Sequence, residues 1–135
     1  MTYYADLSAY EYTELEDDGE PHMNVGWLAA PHPFPTGPLK DEAIERLAIL
    51  RANPVNQFRG SHPCDFCVAE FRAQGLIAGP ALFTALREAG ALGNGEIVIE
   101  GPRGWYHAPV LITHYIERHG YLPPTDFVDA VMTAS

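Results

Sequence analysis

The 135-residue chain sets 18 acidic side chains against 8 basic ones, a formal charge of −10, with 47% hydrophobic and 19% charged residues. This is the make-up of a globular protein of one-domain size, with no apolar run of the roughly 18 residues that a bilayer crossing requires. A single lysine, Lys40, leaves few cations to neutralise phosphates, which disfavours nucleic-acid binding.

In chain order, Met1 to Asp6 lacks the basic and apolar regions of a secretory leader, so a cytoplasmic location is expected. Alternating aromatic and polar residues over 3–16, around Tyr10, Tyr12 and Leu15, suit an extended strand. The acidic stretch Asp17 to Pro21 turns it into a partner strand, Met23–Leu28, giving a first hairpin. Pro31 to Pro38 retains too few amide donors for helix or central strand. It reads as a stiff loop that delivers His32 and Phe34 to fixed places.

A first helix is expected from about Leu39 to Arg51, with Asp41 and Glu42 at its positive end and Ala43, Ile44, Leu47, Ala48 and Leu50 as its apolar face. Asn53-Pro54 ends it. Val55 to Gly60 is a polar loop, and Val68 to Gln74 suits a short strand or a helical turn. A second helix over about 80–89 would bury Leu82, Phe83 and Leu86 and stop at Gly90. Glu96 to Glu100 alternates as a strand, and Gly101-Pro102-Arg103-Gly104 turns it back into Trp105-Tyr106-His107. Pro109 is placed to open a third helix that reaches His119 and stops at Gly120. A last helix over about 125–132 packs Phe127, Val128 and Val131. The expected class is α+β: one domain over 1–135 with two hairpins, three to four short helices and a zinc knuckle. Residues 1–60 would form the hairpin and first helix, and 61–135 the zinc-binding half.

The chemistry lies in Cys64 and Cys67, two residues apart, and His114 and His119, four residues apart. Two thiolates from a tight turn and two imidazoles from a helix end are the donor set of tetrahedral zinc. Five positions on an ideal helix separate side chains by about 140°, so the two histidines converge only if the last turn loosens, which Gly120 permits. Other roles exist for each residue. The thiols could form a redox pair, although no strand or βαβ context precedes them. His119 lies among Leu111, Ile112, Tyr115 and Ile116 and could be a core residue, while His114 could be exposed on the opposite edge. His62 is the main alternative ligand, His32 and His107 are weaker ones, and His22 suits the surface.

The run His62 to Cys67, then Gly93-Asn94-Gly95-Glu96-Ile97, then Ala108 to Tyr121, resembles an uncharacterised family of small bacterial proteins. His32-Pro33-Phe34-Pro35-Thr36-Gly37 is similar to its longer members. The resemblance implies that the cysteines and the final histidine pair act as one unit. It carries no activity, and the stretch around 70–90 is longer than the family pattern.

Two functions follow. A closed Cys₂His₂ site does no chemistry, which suits an interaction or inhibitor-like module whose acidic surface meets a basic protein. Alternatively the two cysteines and one histidine hold zinc with water in the fourth position, and Glu70, Glu100 or Glu117 acts as base in a hydrolase or deaminase. The deaminase pattern needs Glu two residues after the histidine, with the cysteine pair downstream, and neither is present. A weak contact of nucleic acid with Arg46, Arg51, Arg59 and Arg72 is a third and lesser reading.

Overall fold

A computed structural model describes residues 3–10, 20–55, 62–76 and 78–133. Its elements are β1 (His22–Asn24), α1 (Asp41–Arg51), β2 (His62–Pro63), α2 (Asp65–Ala73), α3 (Gly79–Glu88), β3 (Leu92–Gly93), β4 (Glu96–Gly101), β5 (Gly104–Pro109), α4 (Ile112–His119) and α5 (Thr125–Thr133). The α+β class is thus observed.

The main sheet has the order β1-β5-β4. The β4–β5 hairpin is the one expected from sequence, with Ile97 opposite Ala108, Ile99 opposite Tyr106 and Gly101 opposite Gly104. Gly104 has φ +140°, and a β-carbon there would run into the carbonyl of Pro21, so glycine lets β1 approach the turn. β1 joins β5 in parallel, pairing His22 with Trp105 and Asn24 with His107. The first hairpin is present in short form. Ala9 bridges Met23 antiparallel, and the amides of Leu7 and Tyr10 donate to the carbonyls of Asn24 and His22. Tyr12, Leu15 and the turn at 17–19 lie outside the described residues. The second strand stops at Asn24 and not at Leu28: the Val25 amide still donates to the carbonyl of His107 as the last rung of the ladder, but Gly26 takes φ +76° and its amide leaves the sheet for Asp6 Oδ1.

Alternation along β4 and β5 sorts the sheet into two faces. Ile97, Ile99, Tyr106 and Ala108 face the hydrophobic core, where Phe127 of α5 packs edge-on to Tyr106 with ring centroids 6.0 Å apart. α1 packs against α4, α5 and β4 through buried Ala43 and Leu47. Ala48 of its expected apolar face is exposed, since the described structure places nothing over that edge. The other sheet face carries Glu96 and His107, both buried, beneath Tyr10.

Three expectations need correction. Val68–Ala73 is helical, the second of the two forms expected, but α2 starts earlier, at Asp65, so Cys67 lies in its first turn and Cys64 is the extended residue preceding it. Pro109 ends β5 and does not open a helix. Its missing amide is tolerated at the strand end opposite Glu96, and α4 begins at Ile112. Phe83 is 46% exposed, on the outer face of α3 under the Arg87 guanidinium, while Leu82 and Leu86 are buried as expected. The 56–60 part of the expected polar loop lies outside the described residues.

Candidate metal centre

Four elements of the backbone converge on the C-x-x-C turn. The Cys64 amide donates to the carbonyl of Ala91, and β2 pairs with β3 just before it, with His62 opposite Gly93. This fixes Cys64 against the loop after α3, and α2 then lifts Cys67 to the same side. Phe66, between the two cysteines, packs against Tyr115, His119 and Phe34 at centroid separations of 6.2, 5.3 and 5.3 Å. The proline loop therefore does hold Phe34 in a fixed place, on the back of the knuckle. His32 instead stacks on Tyr3 at 3.8 Å.

The histidines come from α4. Its last turn is wide: the amides of both Gly120 and Tyr121 return to the carbonyl of Tyr115. Gly120 takes the left-handed conformation, φ +69°, that ends the helix. With that loosening the two imidazoles face the same point, their centroids 5.2 Å apart.

The ligand atoms of Cys64, Cys67, His114 and His119 all lie within 4.8 Å of one another, in an arrangement that could hold a metal ion. Cys67 Sγ lies 3.3 Å from His114 Nε2, Cys64 Sγ lies 3.4 Å from His119 Nε2, and Cys67 Sγ lies 3.6 Å from His119 Nε2. Metal–sulfur and metal–nitrogen bonds of about 2.3 and 2.0 Å at a tetrahedral angle give an S···N edge of about 3.5 Å. The observed edges bracket that value.

Burial reverses the sequence reading of the histidines. His114 is buried and His119 is half-buried, because the α4 edge that bears His114 lies under the α3–β3 connection. A β-carbon on Gly90 would lie 4.0 Å from His114 Nδ1. With Nε2 turned to Cys67, the hydrogen bond from the ring to the Ala89 backbone belongs to Nδ1. Such an outer bond fixes the tautomer and presents the Nε2 lone pair to a metal.

Burial acts on the two residue types in opposite directions. Burial pushes the Cys64 thiol up to about 12 against the opposing hydrogen bonds from the Cys67 and Phe66 backbone, and burial also raises Cys67. His114 is lowered to about 4, by burial first and then by the charges of His119 and Arg118, and His119 is lowered mainly by burial. Without a cation these groups are two thiols and two neutral imidazoles. A bound dication inverts the balance at the sulfurs and makes them thiolates.

Around this set, Arg118 was not foreseen. It lies 3.5 Å from Glu70 of α2, and its guanidinium favours the Cys67 thiolate by charge and by hydrogen bond. Its place one position before His119 is the only sequence signal that could have singled it out. His62 lies in β2, half-buried, and is not in the converging set; nor are His22, His32 or His107. Of the carboxylates considered as bases, Glu70 is engaged by Arg118, whereas Glu100 and Glu117 are exposed.

A second histidine cluster also escaped the sequence reading. His22 Nδ1 is 2.8 Å from His107 Nε2, His107 Nδ1 is 3.4 Å from Glu96 Oε1, and the Tyr10 hydroxyl donates to Glu96 Oε1 and Oε2 at 2.9 and 3.0 Å. His22 is thus half-buried and bonded, not a plain surface residue. No spacing announces this set, since its members come from four separate stretches.

Among the described residues, no helix is long and apolar enough to cross a membrane. Residues 2–132 match the model of a family described as Domain of unknown function (DUF7919). No curated protein and no solved structure matches the chain.

Proposed function

We propose that this chain, which belongs to the family Domain of unknown function (DUF7919), binds one structural zinc ion through Cys64, Cys67, His114 and His119 and serves as a protein-interaction or inhibitor-like module. One observation carries the reading. Four soft or borderline donors, from the C-x-x-C turn and the loosened end of α4, lie within 4.8 Å of one another, with three sulfur–nitrogen edges of 3.3–3.6 Å that match a tetrahedral site. Zinc fits this S₂N₂ set better than magnesium or calcium, which take oxygen ligands. Four protein donors fill the shell and leave no position for a water nucleophile, so the metal's role is to staple the knuckle to α4.

The interaction role rests on the net charge of −10, which favours a basic protein partner and disfavours nucleic acid. A reducing compartment such as the cytoplasm suits two free thiols that must remain available to a metal.

The test is metal analysis together with X-ray absorption at the zinc edge. One zinc per chain with two sulfur and two nitrogen neighbours is expected. Cys64→Ala and His114→Ala should each weaken binding at least about a hundredfold, if four ligands share the 10 or more kcal/mol of a structural site roughly equally. Three protein ligands and an oxygen would replace this reading with the open-site hydrolase, and a metal-free protein as stable as the zinc-supplied one would end it.

A further inference from the structure

Away from the metal, the N-terminal segment and the proline loop enclose a surface cavity of about 180 Å³. Its walls are Tyr3, Tyr4, Leu28 and Phe34 with the prolines on either side of Phe34, and one charged group, Asp6, lies among them. Tyr3 is backed by His32, stacked at 3.8 Å, and Phe34 by Tyr121, edge-on at 6.1 Å, so both walls are held from behind.

Among the described residues the Asp6 carboxylate is held only by neutral donors. The Gly26 amide donates to Oδ1 at 2.9 Å, and the Tyr121 hydroxyl donates to Oδ1 and Oδ2 at 3.0 and 2.9 Å. Burial and the Asp6 charge keep that hydroxyl protonated, so it remains a donor. Among the described residues no Lys, Arg or His pairs with Asp6. A half-buried carboxylate fixed in place without a counter-charge, beside three aromatic rings, is the chemistry that attracts an organic cation.

We propose that the cavity bounded by Tyr3, Tyr4, Phe34 and Asp6 is a binding site for an alkylammonium group. The distribution of donors selects this cation over a guanidinium. Oδ1 accepts the Gly26 amide and shares the single Tyr121 proton with Oδ2, so the two-point fork of an arginine would compete with both donors at that oxygen, whereas an ammonium needs only Oδ2. Oδ2 accepts only the shared hydroxyl and has a lone pair left for one N–H donor. The ammonium's methylene carbons then lie against the aromatic and proline walls. A free amine and a lysine side chain of a partner protein present the same group. The site shares no residue with the four candidate metal ligands, although Phe34 also packs on Phe66 between the two cysteines.

The experiment is a titration of the isotope-labelled protein by NMR with n-butylammonium chloride, with n-butanol as the neutral isostere. Saturable shifts confined to Tyr3, Asp6, Gly26 and Phe34 are expected with the amine, weakening as salt rises. Asp6→Asn keeps acceptors for Gly26 and Tyr121 but removes the charge, and should weaken binding about tenfold, the scale of a hydrogen bond to a charged group. Tyr3→Leu keeps apolar bulk without the π face and should weaken it about threefold; if Asp6→Asn fails to fold, this variant decides. An alanine-flanked lysine peptide that binds as tightly as butylammonium identifies the source as a protein side chain, and one that is excluded identifies a free amine. Equal binding of butanol, unchanged affinity in these variants, or no saturable shift at the cavity would overturn the proposal.

Discussion

The molecule buries two histidine clusters on opposite sides of its sheet strands, and they solve the same problem differently. In the α2–α4 cluster, His114 and His119 face two sulfurs, and the four groups could hold a metal ion. In the β1–β5 cluster, His22 and His107 face each other and a carboxylate, and the polar groups satisfy one another. If His107 Nδ1–H donates to Glu96, its Nε2 is an acceptor, and His22 Nδ1–H must be the donor across the 2.8 Å gap. Tyr10 stacks on His107 with centroids 3.6 Å apart while its hydroxyl closes the network onto Glu96. A thiol and an imidazole make a poor hydrogen bond but good metal ligands. A carboxylate and an imidazole pair without help.

The contrast breaks most sharply at Glu96. Glu96→Ala leaves His107 and Tyr10 with buried polar atoms that have lost a partner, at a cost of about 3 kcal/mol of stability. Zinc content should nevertheless stay at one per chain, because none of the four candidate ligands touches the network. Chemical denaturation followed by metal analysis checks both halves. A variant that loses zinc while still folded would show that the clusters are coupled.

Titration sharpens the same comparison. Metal uptake must expel two thiol protons, since burial holds both cysteines up in the metal-free protein, while the two lowered histidines are already neutral near pH 7. The sign follows: lower pH opposes binding, and apparent zinc affinity should rise about a hundredfold per pH unit between 7 and 8. Proton release measured by calorimetry in buffers of different ionisation enthalpy should give about two per zinc. A value near zero would mean thiolates formed before the metal arrives, contrary to the burial of Cys64 and Cys67.

The sequence disclosed one cluster and hid the other for a physical reason. Metal ligands on a turn and on one helix are constrained by local geometry, so C-x-x-C and H-x₄-H survive as spacing. The width of the last α4 turn was legible in Gly120 as well. Tyr10, His22, Glu96 and His107 meet through sheet pairing, and β1 joining β5 in parallel leaves no periodic trace in the chain. The β4–β5 hairpin, α1, α3 and α5 were readable from alternation, caps and Gly/Pro punctuation. Pro109 misled because proline suits both a helix start and a strand end, and only the pairing with Glu96 decides between them. Burial of His114 was invisible because it depends on where the α3–β3 connection passes.

The smallest effects test how the surface of the metal cluster tunes it. Arg118 and Glu70 are both about half exposed and 3.5 Å apart, so as an ion pair they contribute little to stability. Their charges, however, act on Cys67 in opposite directions: Arg118 lowers the thiol and Glu70 raises it. The same opposition holds at His119, where the arginine favours the neutral ring that a metal needs and the glutamate favours the protonated one. Arg118→Gln should therefore weaken zinc binding at neutral pH by about tenfold, in the range of other outer-shell changes, with little change in metal-free melting. Glu70→Gln should change it by no more than about twofold, because the dication that enters and the two protons that leave carry equal charge past the carboxylate. Competition against a chromogenic chelator resolves both. If the two variants weaken binding to the same extent, the pair acts by holding α2 to α4, and its charges do not tune the sulfur.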